Sequence, residues 1–529
     1  MVAILLLGCL LSLSAQTSSS HFDAPRVTID SGILEGIQLK GLPQGAAFLG
    51  IPYAAQPVGN LRWKAPQLPP AWHGVRQATQ YGPACPQTPS PWLPEMLGVQ
   101  KMATDEACLY INVWTPRLSA ASKLPVLVWV HGGGNVEGSG EWPPLGPTLA
   151  RQGIVVVSLN YRLGVLGFFA HPALSTESPH HVSGNYGHLD QVAALRWVRR
   201  NIAHFGGDPG RVTIAGQSSG ALDICNLMAS PIARGLFRGA ILQSGVCVDS
   251  LYPTLTEAEA NGVLLASDLG VTSGPQSLAK LRAIPADRIL QAAARDPRVD
   301  LEPDVDGWFF PEQPAIAFRD GRQAKVAVIV GSNEDEVSIF ASPIVGGKSY
   351  RPKTVAAYRQ WLQRQFGSLA EKVFTEYPAR SDQEVPRVFR KMFSDYDFGF
   401  GAQLLAADTA TIGQPSFLYH FTYIGAGKFA PLGAFHSEES MFLSGKYWTS
   451  WVSRPYDKTL SNAILEYWAQ FVKTGNPNRT ALPAWPVYNP KTDLCQELGQ
   501  RIGPEPLPRA QRFPVFQEFL TSRLQKSKQ

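Results

Sequence analysis

The stretch "VTIAGQSSGALDIC", Val212 to Cys225, sets two serines side by side between glycines. Gly216 and Gly220 frame Ser218 as G-x-S-x-G, whereas Ser219 has Gln217 and Ala221 at the same offsets. A serine on a sharp turn from strand into helix has strained backbone angles. It also has close neighbours two residues away on each side, so those neighbours must lack side chains. The frame therefore marks Ser218 as the candidate nucleophile; the competing reading is a Gly/Ser-rich loop.

The surrounding sequence favours chemistry. "LPVLVWV" (Leu124–Val130) and "GIVVVSLNY" (Gly153–Tyr161) are continuous apolar runs, which suit strands buried on both faces of a parallel sheet. "HLDQVAALRWVRRNIAHFG" follows with Leu189, Val192, Leu195, Val198 and Ile202 at helical spacing and Gly206 as its stop. Then come the strand "RVTIAG", a helix from about Ser219, and the strands "GAILQSG", "KVAVIVGS" and "FLYHFTY". A late helix, "SNAILEYWAQFVKTG", closes at Gly475. This alternation predicts an α/β fold with a mainly parallel sheet, and puts Ser218 at the carboxyl end of a strand, where such folds bind ligands.

A serine hydroxyl needs a base, an orienting acid and donors for the oxyanion. Two histidines follow Ser218 in the chain, His420 and His436. His420 falls inside a strand-like run and reads as structural; His436 follows a Gly/Pro-containing loop and is the candidate base. The order Ser, acid, His then requires a carboxylate between them. In "VAVIVGSNEDEVSIF" a buried strand runs into Glu334, Asp335 and Glu336, and spacing alone leaves all three open. For the oxyanion, "VWVHGGGN" sets Gly132, Gly133 and Gly134 directly after a core strand, where backbone N–H groups can approach a substrate. The N–H of Ser219, one residue past the nucleophile, is the remaining donor.

The chain of 529 residues has no linker, charge block or repeat that divides it, and reads as one large globular unit. Its net charge of +5 is mild and its Lys/Arg runs are short, so nucleic-acid binding has no support. The N-terminal run "MVAILLLGCLLSLSAQTSSS" is too short to span a bilayer and predicts a secretory signal cleaved near Ala15, with a lipoprotein at Cys9 as the weaker alternative. A secreted or periplasmic location favours disulfides. Without Cys9 five cysteines remain, an odd count that leaves at least one free if all pairing is internal.

Together these segments resemble the type B carboxylesterases, the carboxylesterase/cholinesterase family of α/β-hydrolases. The likeness runs from about Val27 to about Trp485. It includes "AAFLGIPYAAQPVGNLRWKAPQ", "DEACLYINVWTP", "VHGGGN", "GNYGHLDQVAALRWVRRNIAHFGGDPGRVTIAGQSSG", "GSNEDEVSIF" and "AFHSEE". The resemblance implies an α/β-hydrolase fold in a single catalytic domain over 23–522, and a triad of Ser218, Glu336 and His436. It further implies an oxyanion hole of Gly133, Gly134 and Ser219, a disulfide between Cys85 and Cys108, and Glu439 as a second glutamate behind the site. The departures are Gln217 for the family's usual glutamate before the nucleophile, Ser437 for the glycine after the histidine, and Val337 for the glycine after the acid. The second disulfide of animal members has no match in its usual place, which leaves Cys225 and Cys247 as a candidate pair.

The expected activity is that of an exported serine ester hydrolase acting on small-molecule esters through an acyl-enzyme, with no metal or organic cofactor. An amide, carbamate or thioester hydrolase using the same triad is the alternative, and a non-catalytic binding protein is a weaker one. In the cholinesterase branch of the family that the chain resembles, a glutamate before the nucleophile and a tryptophan late in the first disulfide loop favour a cationic alcohol group. Here Gln217 is neutral and Trp92, the one aromatic residue between Cys85 and Cys108, lies early in the loop, so the resemblance implies no preference for choline esters. Nothing in the sequence specifies the natural substrate or an oligomeric state.

Overall fold

A computed structural model describes residues 24–88, 102–296, 301–340, 351–445 and 454–526. The proposed signal segment with Cys9 and Ala15, and Trp92, lie outside the described residues. Eleven strands form the main sheet: β1 (Ile37–Gln38), β2 (Ala46–Pro52), β3 (Tyr110–Thr115), β4 (Leu124–Val130), β5 (Val155–Leu159), β6 (Gly207–Gln217), β7 (Gly239–Gln243), β8 (Ala327–Asn333), β9 (Ser416–Phe421), β10 (Leu494–Leu498) and β11 (Ile502–Pro506). Their order across the sheet is β11-β10-β9-β8-β7-β6-β4-β5-β3-β2-β1. The centre, from β10 to β5, is parallel, and the strands at both edges are antiparallel. A separate three-stranded sheet lies near the N-terminus.

The apolar runs are strands because both of their faces are covered. Along β4, Val126, Val128 and Val130 enter a core shared with Val192 and Trp197 of the helix Tyr186–Asn201 and Ile224 of the helix Ser219–Ala229. Leu127 and Trp129 enter the opposite core, with Ile464 and Trp468 of the helix Pro455–Thr474. Burial of each such side chain is worth about 1.5–3 kcal/mol. Gly206 and Gly475 close their helical segments in the left-handed conformation, with φ of 86° and 79°.

Cys85 pairs with Cys108, Cα atoms 4.9 Å apart, and Cys225 pairs with Cys247, Cα atoms 5.5 Å apart. The second bridge ties the helix that follows Ser218 to the loop after β7. Cys495 is free and buried, and that burial pushes its thiol pKa far above the ordinary value. Among the described residues, no helix is long and apolar enough to cross a membrane.

Candidate active site

The sheet delivers the candidate residues by its parallel register. Val130 of β4 stands beside Gly216 of β6, and Gln217 beside Gln243 of β7, so the segments after β4 and β6 leave the sheet side by side. Ser218 caps the helix Ser219–Ala229 with φ 58° and ψ −131°, a strained conformation for a residue with a Cβ. Its glycine frame has a direct steric cause. A Cβ at Gly220 would stand 2.3 Å from the Val130 carbonyl oxygen, and one at Gly216 would stand 2.7 Å from the Gly220 carbonyl carbon.

The loop after β4 turns through Gly133 and Gly134, with φ of 111° and 63°. Among the described residues, no backbone carbonyl outside regular elements accepts an N–H from either glycine, and Ser219 opens its helix with an N–H that has no partner four residues back. The Ser219 hydroxyl accepts a hydrogen bond from Asn135 N at 3.1 Å, which fastens this loop to the turn carrying Ser218. Asn135 Nδ2 donates to Asp223 Oδ1 at 3.0 Å, and Tyr161 OH reaches Asn135 Oδ1 at 3.0 Å and His131 O at 2.9 Å. Gln191 Nε2 donates to Asp223 Oδ2 at 2.6 Å, and His188 Nε2 stands 3.0 Å from Asp223 Oδ1. Polar groups buried this deeply are costly unless paired, so the network favours one loop geometry. Its residues lie too far apart in the chain for spacing to connect them.

Of the three adjacent carboxylates, Glu336 alone meets the candidate base: its Oε2 stands 2.6 Å from His436 Nδ1. Asn333 N donates to Glu336 Oε1 at 2.7 Å, and Glu336 is fully buried. Glu334 turns the other way, to Lys391, to Arg509 at 2.8 Å and to His420 at 3.0 Å. Burial raises the Glu334 pKa, but His420 and Arg509 outweigh it and hold the group well below the usual carboxylate range. Asp335 Oδ1 lies 3.2 Å from Lys391. His420 is thus committed to an ion-pair cluster and does not enter the site.

Glu439 is buried behind Glu336, accepting from Asn333 Nδ2 at 2.6 Å and Gln243 Nε2 at 3.1 Å. Burial, and then the charge of Glu336, raise its pKa. Asn333 bridges the two glutamates, backbone to one and side chain to the other. It sits three residues from Glu336 in the quoted strand-loop pattern and carried no signal of its own.

Gly134, Ser218 and Ser219 line one cavity of about 470 Å³, and Gly133 is not among its lining residues. Asp249 and Asp397 also line it. Burial and the neighbouring Asp397 push the Asp249 pKa up to about 7. Asp397 is exposed on the cavity wall; desolvation by the protein around it pushes its pKa up to about 6, opposed by His436 and reinforced by Glu336. Neither aspartate was legible as a site residue, since each lies on a segment remote from the motifs.

The Carboxylesterase family profile matches residues 23–509. The chain belongs to the carboxylesterase family. This carboxylesterase is 37% identical over 507 residues to the fumonisin B1 esterase of Sphingopyxis macrogoltabida, covering 93% of this chain and 90% of the relative. It is 31% identical over 526 residues to liver carboxylesterase 1 of Oryctolagus cuniculus, covering 92% of each. Among solved structures, a PNB esterase superposes with a TM-score of 0.77 at 33% identity, covering 93% of this chain and 99% of that one. The carboxylesterase of Geobacillus stearothermophilus gives 0.78 at 32% identity, with the same coverage. The fold of this carboxylesterase is therefore that of the α/β-hydrolase esterases.

One position in this carboxylesterase departs from the sequence expectation. Gln217, considered there for its missing charge toward an alcohol group, is 2% exposed and packs onto the candidate base. Its Nε2 lies 3.0 Å from His436 Nε2.

Proposed function

We propose that the protein is an exported carboxylic-ester hydrolase in which Ser218, Glu336 and His436 form a triad and pass the acyl group through a covalent serine ester. The observation that carries this reading is the pairing of the buried Glu336 with His436 Nδ1, on a ring that touches Gln217, the residue before a strained Ser218 that faces a cavity. With the Nδ1 proton committed to Glu336, the lone pair of a neutral His436 lies on Nε2, the nitrogen that must take the Ser218 proton. Ser218 Oγ attacks the ester carbonyl as that proton moves to His436. The N–H groups of Gly133, Gly134 and Ser219 hold the tetrahedral oxyanion, and His436 then protonates the departing alcohol. Water enters, gives a proton to His436 as it attacks the acyl carbon, and His436 returns that proton to Ser218 Oγ as the bond to the acyl carbon breaks and the acid leaves. The residues supply every proton and charge that these steps need.

The single domain over 23–522 and export after cleavage near Ala15 belong to the same reading. The two disulfides support an oxidising destination. The test is a rapid-mix experiment with p-nitrophenyl butyrate. A burst of nitrophenol equal to the enzyme concentration, with a butyryl adduct on the peptide containing Ser218, is expected. Turnover with no burst under rate-limiting deacylation, and no adduct after acid quench, would overturn the reading. Fumonisin B1, for which one relative is named, belongs in the substrate panel beside p-nitrophenyl esters of increasing acyl length.

A further inference from the structure

The side-chain amide of Gln217 occupies the one lone pair on which the proposed chemistry depends. His436 Nδ1 is held by Glu336 at 2.6 Å, so the free lone pair of the neutral ring is on Nε2, and Gln217 Nε2 donates to it at 3.0 Å. No hydrogen bond joins Ser218 Oγ to His436 among the described residues, although Ser218 is the next residue in the chain. Gln217 has little freedom, being buried between its strand and the ring. Its Oε1 faces Gly132, where a Cβ on the glycine would stand 3.3 Å away.

We propose that Gln217 is a positioning residue for the general base: its amide N–H holds His436 neutral between turnovers and thereby sets the acid limit of activity. The inference rests on the triad reading and deepens it. An N–H donor beside Nε2 stabilises the neutral ring and opposes the imidazolium, whose own Nε2–H would meet a group with no lone pair. When Ser218 transfers its proton, the amide must yield the Nε2 lone pair. A glutamate at 217 would act in the opposite sense, accepting from the imidazolium and holding the proton on the ring.

Other groups face His436 as well. Glu336 comes from the segment after β8, Glu439 from the helix Glu438–Ser444, and Asp397 from the π-helical segment Asp395–Gly399; the rings of Phe340 and Phe398 close over the imidazole, each 5.1 Å away. These groups are unchanged in a Gln217 variant, so a shift produced there reports on residue 217.

The experiment is the pH dependence of kcat/KM for p-nitrophenyl butyrate, read at the isosbestic wavelength of the phenol, in the parent and in Gln217→Glu and Gln217→Met. The acid limb reports the free-enzyme base. Gln217→Glu should move that limb upward by about 1–3 pH units, the usual effect of an opposite charge in contact. Gln217→Met removes the donor without adding charge, and should move it upward by about half a unit. The methionine variant carries the test alone where the glutamate variant does not fold. Limbs that coincide with the parent, with only the plateau lowered, would reduce Gln217 to a packing role and overturn the proposal. Failure of the triad itself has a different signature, the loss of the acyl burst in the parent enzyme.

Discussion

Glu336 Oε2 stands 2.6 Å from His436 Nδ1, while Glu334, two residues earlier, lies 3.0 Å from His420. One short acidic run thus serves two histidines on opposite errands. Glu336→Gln should lower kcat by roughly 10³–10⁴, because the amide no longer fixes the tautomer or balances the imidazolium. Asp335→Asn should cost less than about tenfold, since Asp335 pairs with Lys391. Steady-state kinetics on both variants with one ester decides this, and equal losses would contradict the geometry.

His420→Gln should act on stability. Burial opposes its charge, but the hydrogen bond to Glu334 outweighs it and raises the His420 pKa above the ordinary imidazole value. A raised histidine pKa contributes stability that is present in full below the unfolded value and is lost as pH rises through the folded one. Glu334, held low, adds its share above the unfolded carboxylate value and loses it in acid. The destabilisation, about 2 kcal/mol for a buried bond to a charged group, should therefore be largest near pH 5–6 and shrink toward pH 9. Thermal melts across that range check it, with kcat changed little.

The disulfides predict a thiol count. Unfolded without reductant, the chain should yield one reactive thiol, Cys495, with Cys9 adding a second where the N-terminal segment is retained. Replacing Cys225 and Cys247 together by alanine should cost about 3 kcal/mol by chain-entropy arguments and lower Tm. Because their bridge fastens the loop that carries Asp249, KM should rise as well, which the same change at Cys85 and Cys108 should not cause.

Much of this was legible in the sequence, for identifiable reasons. β4 and β5 are continuous apolar runs because both of their faces are covered, and Gly216 and Gly220 are demanded by backbone contacts within ångströms of Ser218. The pairing of Cys225 with Cys247 was open, and so was the choice among three carboxylates on residue spacing alone. In each case the answer depends on which way a side chain points where a strand ends. Asn135, Tyr161, Asp223 and His188 were invisible because their contacts span as many as 88 residues of chain, and Asp397 reaches the cavity from a remote segment. Gln217 was noticed for its charge, and its contact with His436 depends on a rotamer that no spacing rule supplies.

The cavity aspartates give the site a pH-dependent charge. As pH rises through about 6 to 7, Asp397 and then Asp249 ionise and the wall beside Ser218 becomes more negative. At ~10 Å and an effective dielectric near 20, each charge is worth about 1.7 kcal/mol before screening. The kcat/KM ratio of butyrylcholine to 3,3-dimethylbutyl butyrate should accordingly grow by roughly tenfold between pH 5.5 and 8, and Asp249→Asn with Asp397→Asn should flatten it. Such a rise would overturn the expectation, drawn from the neutral Gln217, of no preference for a cationic alcohol group. A ratio that stays near one across the range would mean that the aspartates do not act on the alcohol group.

The central claim is that Ser218 attacks while its neighbour serves through its backbone. The most direct test compares Ser218→Ala and Ser219→Ala by kcat and by covalent labelling with a fluorophosphonate. Ser218→Ala should lose kcat by roughly 10⁴ or more, take no label and melt like the parent. Ser219→Ala keeps its N–H and loses only the bond from Asn135, so it should label and turn over within about tenfold to a hundredfold of the parent. A labelled, active Ser218→Ala beside a silent Ser219→Ala would contradict the account at its root.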